Sequence, residues 1–582
     1  MKRLPVTDTP FSEIIEGGFL YADKTRYVYE MIHKYKFCFL SRPSRFGKTI
    51  LLDAIAELFR GKKELFEGLW IASDNFPIES ERGSPLTRGE RKAYDFKIHP
   101  VVKISMAYGK IENAGQLQRK IIQDLALAAK SEGLALIEED FDEAQSSLFE
   151  GLIEKYNGAK VVILVNDYDA SASENLDSVA FARGNVDVLC DFYLALKKNT
   201  RYIRFAFVTG VTFFAKTAMG VESANMFKDI SIKEEYAGVC GFTANDFDAL
   251  FADRMESTLE ILKNERRMKA DATVKDLRNE IFETFGGYSW LGQDRILNPY
   301  SISRFFADKS FDSHWAKVGW TKNSRALIAK KPLDFIDPLQ VGYTIEDLTK
   351  ADVGHVNPTA LLFHCGYLTI ERVEFVEIAG VKGCPIYRGL MFLGAPNKEA
   401  KESFSAFCRE SIFGLFYKEL PELGCQLADA FGDKNAEALD ALIGVIFDNV
   451  TILLNIPFEY RRHAVLRTAL RAAGIDVKSE KTGRIGNSNL TVALTGDKYV
   501  IIQIKCLADI NEDNKDKIID EALDGILRQI IKIDRSGSYG IKNPSAIIGL
   551  AIVFYGEYAV RTKFGKERNF QCPQISLENE IP

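Results

Sequence analysis

The segment Leu40-Ser41-Arg42-Pro43-Ser44-Arg45-Phe46-Gly47-Lys48-Thr49 carries the clearest chemistry in the chain. An apolar run precedes it and a helix-period pattern follows it, so it reads as a loop between a strand and a helix. That context suits a polyphosphate, because N–H groups at a helix start and the helix dipole both favour an anion. In such a loop Lys48 reaches the β/γ-phosphates and the Thr49 hydroxyl is a ligand for Mg²⁺. Arg45 and Gly47 complete the candidate nucleotide-binding set. The usual pattern has Gly five residues before Gly47, and here that residue is Arg42. The competing reading is a basic helix N-terminus with no ligand.

A second element fits the first. Val161-Val162-Ile163-Leu164-Val165 is an apolar strand that runs into Asn166-Asp167-Tyr168-Asp169. In P-loop ATPases the strand neighbouring the phosphate loop ends in an Asp that holds the Mg²⁺ shell, followed by an acid that polarises water. Asn166 takes the first place and Asp167 the second. Asp167 is the candidate catalytic residue, and Asn166 and Asp169 join the nucleotide side. The amide at 166 removes a full charge from the metal's surroundings. A strand end capped by turn residues is the competing reading.

Other constellations are absent. The six histidines show no H-x-x-x-H or H-E-x-x-H spacing, which argues against a zinc hydrolase. There is no Gly-x-Ser-x-Gly elbow. The nine cysteines form no C-x-x-C pair, so reduced thiols in a cytosol-like compartment are expected. Trp290, Trp315 and Trp320 are expected in the core rather than as base-stacking platforms.

These residues need elements to position them. At 582 residues the chain has room for roughly three or four domains. Apolar residues make up 46% and charged residues 27%, the composition of a globular protein rather than a disordered or fibrous one. A net charge of -6 argues against coating nucleic acid by bulk positive charge and leaves a local basic groove open. No apolar run is long enough to span a membrane, and no leader-like segment opens the chain. The expected location is therefore cytoplasmic.

The first ~235 residues alternate short apolar runs with helical patterns, which predicts an α/β domain with a mainly parallel sheet. The strand candidates are Lys36–Leu40, Val101–Met106, Val161–Val165 and Arg204–Val208. The charged stretch Glu79–Lys97 reads as a surface excursion. The domain plan is residues 1–240 for nucleotide binding, 241–395 for a helical lid and a winged-helix-like module, 396–450 for a helical connector, and 451–582 for a second α/β unit. In that last unit a helix at Glu459–Ala473 precedes strands at Leu490–Leu494 and Tyr499–Ile504, a helix near Lys517–Ile533 and a strand at Ala546–Phe554.

With these segments in view, the chain resembles bacterial and archaeal AAA-ATPase-like proteins fused to a C-terminal domain of the PD-(D/E)XK nuclease superfamily. Tyr21-Ala22-Asp23-Lys24-Thr25 is similar to that family's Tyr-Val-Asp-Lys-Thr, and Arg42 to Thr49 is similar to its Arg-Pro-Arg-Arg-Phe-Gly-Lys-Ser. Further blocks match at Val208-Thr209-Gly210-Val211, Cys240-Gly241-Phe242-Thr243, Gly287-Tyr288, Gly366-Tyr367-Leu368-Thr369-Ile370 and Pro396-Asn397-Lys398-Glu399. The resemblance implies ATP and Mg²⁺ as cofactors, with Lys48 and Thr49 as their ligands. It implies Asp-Glu-Tyr-Asp where this chain has Asn166-Asp167-Tyr168-Asp169, so both the metal-side acid and the catalytic Glu are altered. It also places Thr209 where related ATPases have a γ-phosphate sensor, with a plain turn residue as the other reading.

The resemblance implies a nuclease site that this chain has changed. Such nucleases gather a helix Glu, a strand Asp and a Glu-x-Lys pair around Mg²⁺, and the Lys steadies the developing charge. Family members show Ser-Glu, then Gly-x-Gly-Arg-x-Asp, then Glu-x-Lys. Here the matching residues are Ser479-Glu480, Gly486-Asn487-Ser488-Asn489 and Gln503-Ile504-Lys505. Asn489 and Gln503 are amides where acids belong, and Mg²⁺ favours carboxylate. Glu459, Glu480, Gln529 and Lys505 complete the altered set, and Lys505 is a candidate for phosphate binding or residual catalysis. Arg461, Arg462, Arg467 and Arg471 read either as a phosphate-contacting stripe or as a solvated helix face.

The expectation is an α/β chain: a P-loop NTPase parallel sheet, helical and winged-helix-like modules, and a C-terminal restriction-endonuclease-like domain without nuclease activity. It would bind ATP, turn it over slowly, and act as a nucleotide-responsive module for nucleic acid or a protein partner. The alternatives are a working ATP-dependent, metal-dependent nuclease and a structural interaction protein that binds no nucleotide. An oligomer is compatible with all three.

Overall fold

The computed structural model describes residues 2–5, 8–73, 94–109, 111–136, 140–173, 179–212, 224–290, 295–315, 342–349, 357–381, 384–450, 458–481, 488–494, 498–507, 514–534, 546–555 and 559–569. Most of the expected surface excursion at Glu79–Lys97, and Trp320, lie outside these residues. The chain divides into two compact units, one made of Met1–Ile328 with Asp337–Ser403 and one centred on Phe404–Pro582.

The first unit is organised by a five-stranded, all-parallel sheet. Its strands are β1 (Phe37–Ser41), β2 (Val101–Ser105), β3 (Val161–Asn166), β4 (Ile203–Gly210) and β5 (Lys228–Asp229), in the order β2-β3-β4-β1-β5. β1 and β3 are buried along their whole length. This is why they read as unbroken apolar runs in the sequence: a parallel strand covered on both faces needs no polar side. Helix α1 (Lys48–Phe59) follows the loop after β1 and packs on β2, β3 and β4. Helices α2 (Ala114–Ser131), α3 (Phe141–Lys155) and α4 (Val179–Lys198) pack against one another. Asn113 and Asp140 cap the first two through their side chains.

Three more helices follow: α5 (Ala244–Asn264), α6 (Val274–Phe285) and α7 (Pro299–Asp308). Thr243 with Asp246 and Thr273 with Asp276 form reciprocal capping boxes, and Asn298 caps α7 ahead of a Pro at its first position. A phenylalanine-rich core of Phe247, Phe251, Phe285, Phe305 and Phe306 joins them. Helix α8 (Pro358–His364) then leads into a two-stranded antiparallel ribbon, β6 (Thr369–Val381) with β7 (Cys384–Gly394), followed by helix α9 (Lys398–Phe413).

In the second unit a mixed sheet runs β12-β11-β10-β9-β8, with β13 pairing β11. The strands are β8 (Val477–Lys481), β9 (Ser488–Leu494), β10 (Lys498–Leu507), β11 (Ala546–Tyr555), β12 (Ala559–Phe564) and β13 (Arg568–Asn569). β10 and β11 are parallel and the other pairs are antiparallel. One face is covered by α10 (Leu420–Gly432), α11 (Ala436–Asp448) and α12 (Phe458–Ala472), whose Leu427, Ile443, Leu466 and Leu470 share a core with Leu490, Val500 and Ile552. The other face carries α13 (Lys515–Asp534), whose Ile519, Leu523 and Ile526 pack on Ile501 and Ala551. The segment expected to be a connector thus supplies part of this unit's core.

Candidate nucleotide site

The carboxyl ends of β1, β3 and β4 bring the candidate residues together, the place where parallel α/β sheets bind ligands. In the register Leu40 pairs with Thr209 and Ser41 with Gly210, while Val165 pairs with Val208. β4 therefore lies between β1 and β3, and the strand ending in Asn166 is not the direct neighbour of the phosphate loop, as the sequence reading had it. The site is nevertheless joined: Asn166 Nδ2 is 3.4 Å from Thr49 Oγ1 and donates to Asp167 Oδ2 at 2.9 Å. Asn166 Oδ1 is buried with no hydrogen-bond partner among the described residues.

Two residues of the loop take left-handed backbone, Arg45 at φ 66° and Gly47 at φ 92°. Gly47 is the cap of α1, and a Gly there adopts this conformation without a Cβ clash. Lys48 is buried and its ammonium donates to the carbonyl oxygens of Arg42 at 3.0 Å and Pro43 at 2.9 Å. Burial pulls this ammonium below its ordinary value, and the carboxylates of Asp167 and Asp169 oppose the shift. Asp167 has φ 50°, and burial raises its carboxyl above the usual carboxylate range, with Lys48 pulling it back and Asp169 pushing it further up.

Two expected nucleotide ligands are engaged elsewhere. Thr209 is fully buried, and its hydroxyl donates to the Leu40 carbonyl at 2.8 Å, across the β1–β4 pair. It ties the sheet together rather than facing the loop. Asp169 is buried and accepts from the backbone N–H of Val211 and Thr212 and from the Thr212 hydroxyl, at 3.2, 2.7 and 2.6 Å. It fixes the turn after β4. Gly210 fits against it because a Cβ there would lie 2.3 Å from Asp169 Oδ1.

Arg42 has a role that the sequence reading did not give it. It replaces a glycine of the usual pattern, yet it is almost wholly buried. Its guanidinium donates to the carbonyl oxygens of Ser41 and Ser231, both at 2.8 Å, and of Tyr236 at 3.1 Å. Its Cζ lies over the Trp290 ring, 3.9 Å from the centroid. The outside of the loop is enclosed as well. The Phe46 ring meets Tyr288 and Trp290 edge-on, its carbonyl accepts from Gly241 N–H, and the Trp315 indole donates to the Ser44 carbonyl at 2.9 Å. Gly366 faces Pro43, with a Cβ there only 2.9 Å from the ring. Trp290 and Trp315 are buried, as expected of core residues.

Residues 5–220 match the family model described as a predicted AAA-ATPase. This stretch takes in β1 to β4 and the loop, so the parallel sheet and its Lys48 loop form a P-loop ATPase-like domain. The chain is also 28% identical over 520 residues to an "Uncharacterized protein in vnfD 5'region" of Azotobacter chroococcum mcd 1, covering 86% of this chain and 88% of that protein. No helix among the described residues is long and apolar enough to cross a membrane.

In the second unit, several of the residues that the family resemblance singles out share one row of the sheet. Glu480 pairs with Asn489, Leu490 with Ile502, and Gln503 with Ala551, so the same register sets Asn489 opposite Gln503, one step past the Leu490–Ile502 pair. Gln503 is buried on the α13 face and donates from Nε2 to Gln529 Oε1 at 3.0 Å, and its own Oε1 has no partner. Lys505 lies two residues further along β10 and is exposed. The side chains of Glu459, Glu480 and Asn489 lie outside what the structure describes. Arg462 and Arg467 are buried, so neither belongs to a solvated face or a phosphate stripe, while Arg471 is exposed and donates to the Val477 carbonyl. Arg462 lies over Phe554 at 4.4 Å.

Proposed function

We propose that the ATPase-like domain binds ATP·Mg²⁺ at the 42–49 loop and hydrolyses it slowly. The observation that carries this reading is Lys48, the residue after the left-handed Gly47, its ammonium held beside the loop and close in charge to Asp167. The Lys48 ammonium would exchange the Arg42 and Pro43 carbonyls for phosphate oxygens, and the N–H groups at the start of α1 would hold the remaining charge. Thr49 would hold Mg²⁺, with the unpartnered Asn166 Oδ1 beside it as a neutral oxygen donor. Mg²⁺ supplies neutralisation of the phosphate charge when it is bound. Asp167 is the carboxylate placed to polarise water. Its arm is one methylene shorter than the family's Glu, and a misplacement of ~1 Å can cost about 10²-fold in rate. The test is calorimetry of ATP·Mg²⁺ binding to the intact chain with Lys48→Ala as control. A folded wild-type sample that gives no heat of binding ends the reading.

For the second unit we infer a nuclease-like fold that no longer cleaves and serves as a nucleic-acid or protein-binding module. A mixed sheet with helices on both faces, and the row formed by Glu480, Asn489 and Gln503, support it. Coupling between ATP and this module is tested by comparing nucleic-acid binding with and without ATP.

A further inference from the structure

A loop that cradles an anion turns its N–H groups to the ligand, so its carbonyls must be held from outside. The carbonyls of Arg42 and Pro43 accept from Lys48, and that of Phe46 accepts from Gly241. The Ser44 carbonyl is held by a side chain 271 positions away, through the Trp315 indole N–H. Trp315 is itself fixed by a buried carboxylate. Glu399 Oε1 accepts from the backbone N–H of both His314 and Trp315 at 2.6 Å, and Oε2 accepts from the Ser301 hydroxyl at 2.8 Å. Glu399 is almost wholly buried, and burying an anion is tolerated only where such donors converge on it. Its own position is set by Asn397, which caps the helix Lys398–Phe413 through Ala400 N–H and donates to the Gly286 carbonyl at 2.7 Å. Next to that carbonyl, Gly287 adopts φ 85°, and a Cβ there would meet the Pro396 carbonyl at 1.9 Å.

We infer that Glu399 and Trp315 are positioning residues for the phosphate loop, acting through the chain Glu399–Trp315–Ser44. The inference rests on the nucleotide-site reading above and goes beyond it: the shape of the loop is set from the helical region, by residues that touch no nucleotide. The block Pro396-Asn397-Lys398-Glu399 then has a defined task, to hold the carboxylate that orients Trp315.

The experiment is calorimetry of ATP·Mg²⁺ on the full chain, for wild type, Trp315→Phe, Glu399→Gln and the double variant. Trp315→Phe keeps an aromatic ring in the site and removes the indole donor together with part of the ring packed against Tyr288 and Tyr367. Each single variant should weaken ATP affinity by about fivefold, the worth of one hydrogen bond. The double variant should be no weaker than the weaker single, because both act through one chain of contacts. A merely structural role would lower the unfolding midpoint and leave the affinity of the folded protein unchanged. Singles that bind like wild type, or losses that add in the double variant, overturn the inference. If Glu399→Gln does not fold, Ser301→Ala, which removes one donor from the same carboxylate, takes its place with the same pair of outcomes. If folded wild type binds no ATP, the nucleotide-site reading itself has failed, an outcome distinct from unaffected variants of a protein that binds.

Discussion

The guanidinium carbon of Arg42 lies over the indole ring of Trp290, 3.9 Å from its centroid and 248 positions apart in the chain, while its N–H groups hold three backbone carbonyls. An arginine in this position of a phosphate loop is a structural bolt. Burial lowers its pKa to about 10, with Cys240 and Asp229 opposing the shift, so it stays charged at neutral pH.

Restoring the glycine of the usual pattern should therefore harm this protein. Arg42→Gly leaves the carbonyls of Ser41, Ser231 and Tyr236 without this donor and opens a void under Trp290. The loss of a buried, multiply bonded cation is expected to cost roughly 3–5 kcal/mol. The unfolding midpoint of the first unit should fall by several degrees, and Arg42→Lys should recover only part of it, because an ammonium cannot stack flat or bridge the same carbonyls. A glycine variant as stable as wild type would contradict the bolt.

Much of the sheet was legible in the sequence and much of the site was not, for one physical reason. β1, β3 and β4 are buried on both faces, so their apolar runs stand out. Lys48 and Thr49 stand out because the phosphate loop is local in sequence. β8, whose Val477 is followed by four charged or polar residues, has no such signal, and β12 alternates too weakly to be seen. The roles of Thr209 and Asp169 depend on which way a hydroxyl and a carboxylate turn, which the β1–β4 register decides. Arg42, Trp290, Trp315 and Glu399 meet only after hundreds of intervening residues have folded. Their one trace in the sequence is that the blocks around Gly241, Gly287, Gly366 and Glu399 converge on the loop.

The strand end at Asn166 and Asp167 makes a kinetic prediction. Asn166→Asp with Asp167→Glu should raise ATP turnover by at least tenfold, since it restores the metal-side charge and lengthens the arm that polarises water. Asp167→Asn should abolish turnover yet stabilise the fold at neutral pH. Burial holds the Asp167 carboxyl above its ordinary value of 3.8, so its ionised form destabilises the folded state. The penalty is absent below about pH 3.8 and grows as pH rises through the folded value. The stabilisation of Asp167→Asn should therefore shrink as pH is lowered toward 4. Unfolding midpoints of wild type and variant, compared at pH 7 and 4.5, check this sign.

A second pH effect belongs to the other unit. His463 is buried on α12, its Nε2 has no hydrogen-bond partner, and burial together with the nearby Arg467 lowers its pKa from 6.5 to about 4. Between those values the unfolded chain binds this proton and the folded chain does not, so stability falls as pH drops from 6.5 to 4. The ring's share is roughly 3 kcal/mol over that window. His463→Leu should flatten the acid side of the second unit's stability profile and be close to neutral at pH 7. An acid slope unchanged in the variant would remove His463 as its source.

The last prediction concerns cleavage. Gln503 and Asn489 offer amide oxygens where metal-dependent nucleases use carboxylates, and losing two charges removes most of the local attraction for Mg²⁺. Purified wild-type protein should leave DNA and RNA intact with Mg²⁺ or Mn²⁺. The reversion Asn489→Asp with Gln503→Glu is locally permitted. Gln529 is exposed and now accepts from Gln503 Nε2, and by turning its amide it can donate to a carboxylate at 503 instead. The variant should gain Mn²⁺ affinity in calorimetry even where cleavage does not return, because metal binding needs the charges alone, while cleavage also needs Lys505 at the reacting phosphate. Lys505 is exposed beside this row, so Lys505→Ala should leave metal affinity in the reverted protein unchanged and abolish any recovered cleavage. Robust metal-dependent cleavage by the wild-type chain, lost in Lys505→Ala, would sink the non-cleaving reading and install a working nuclease in its place.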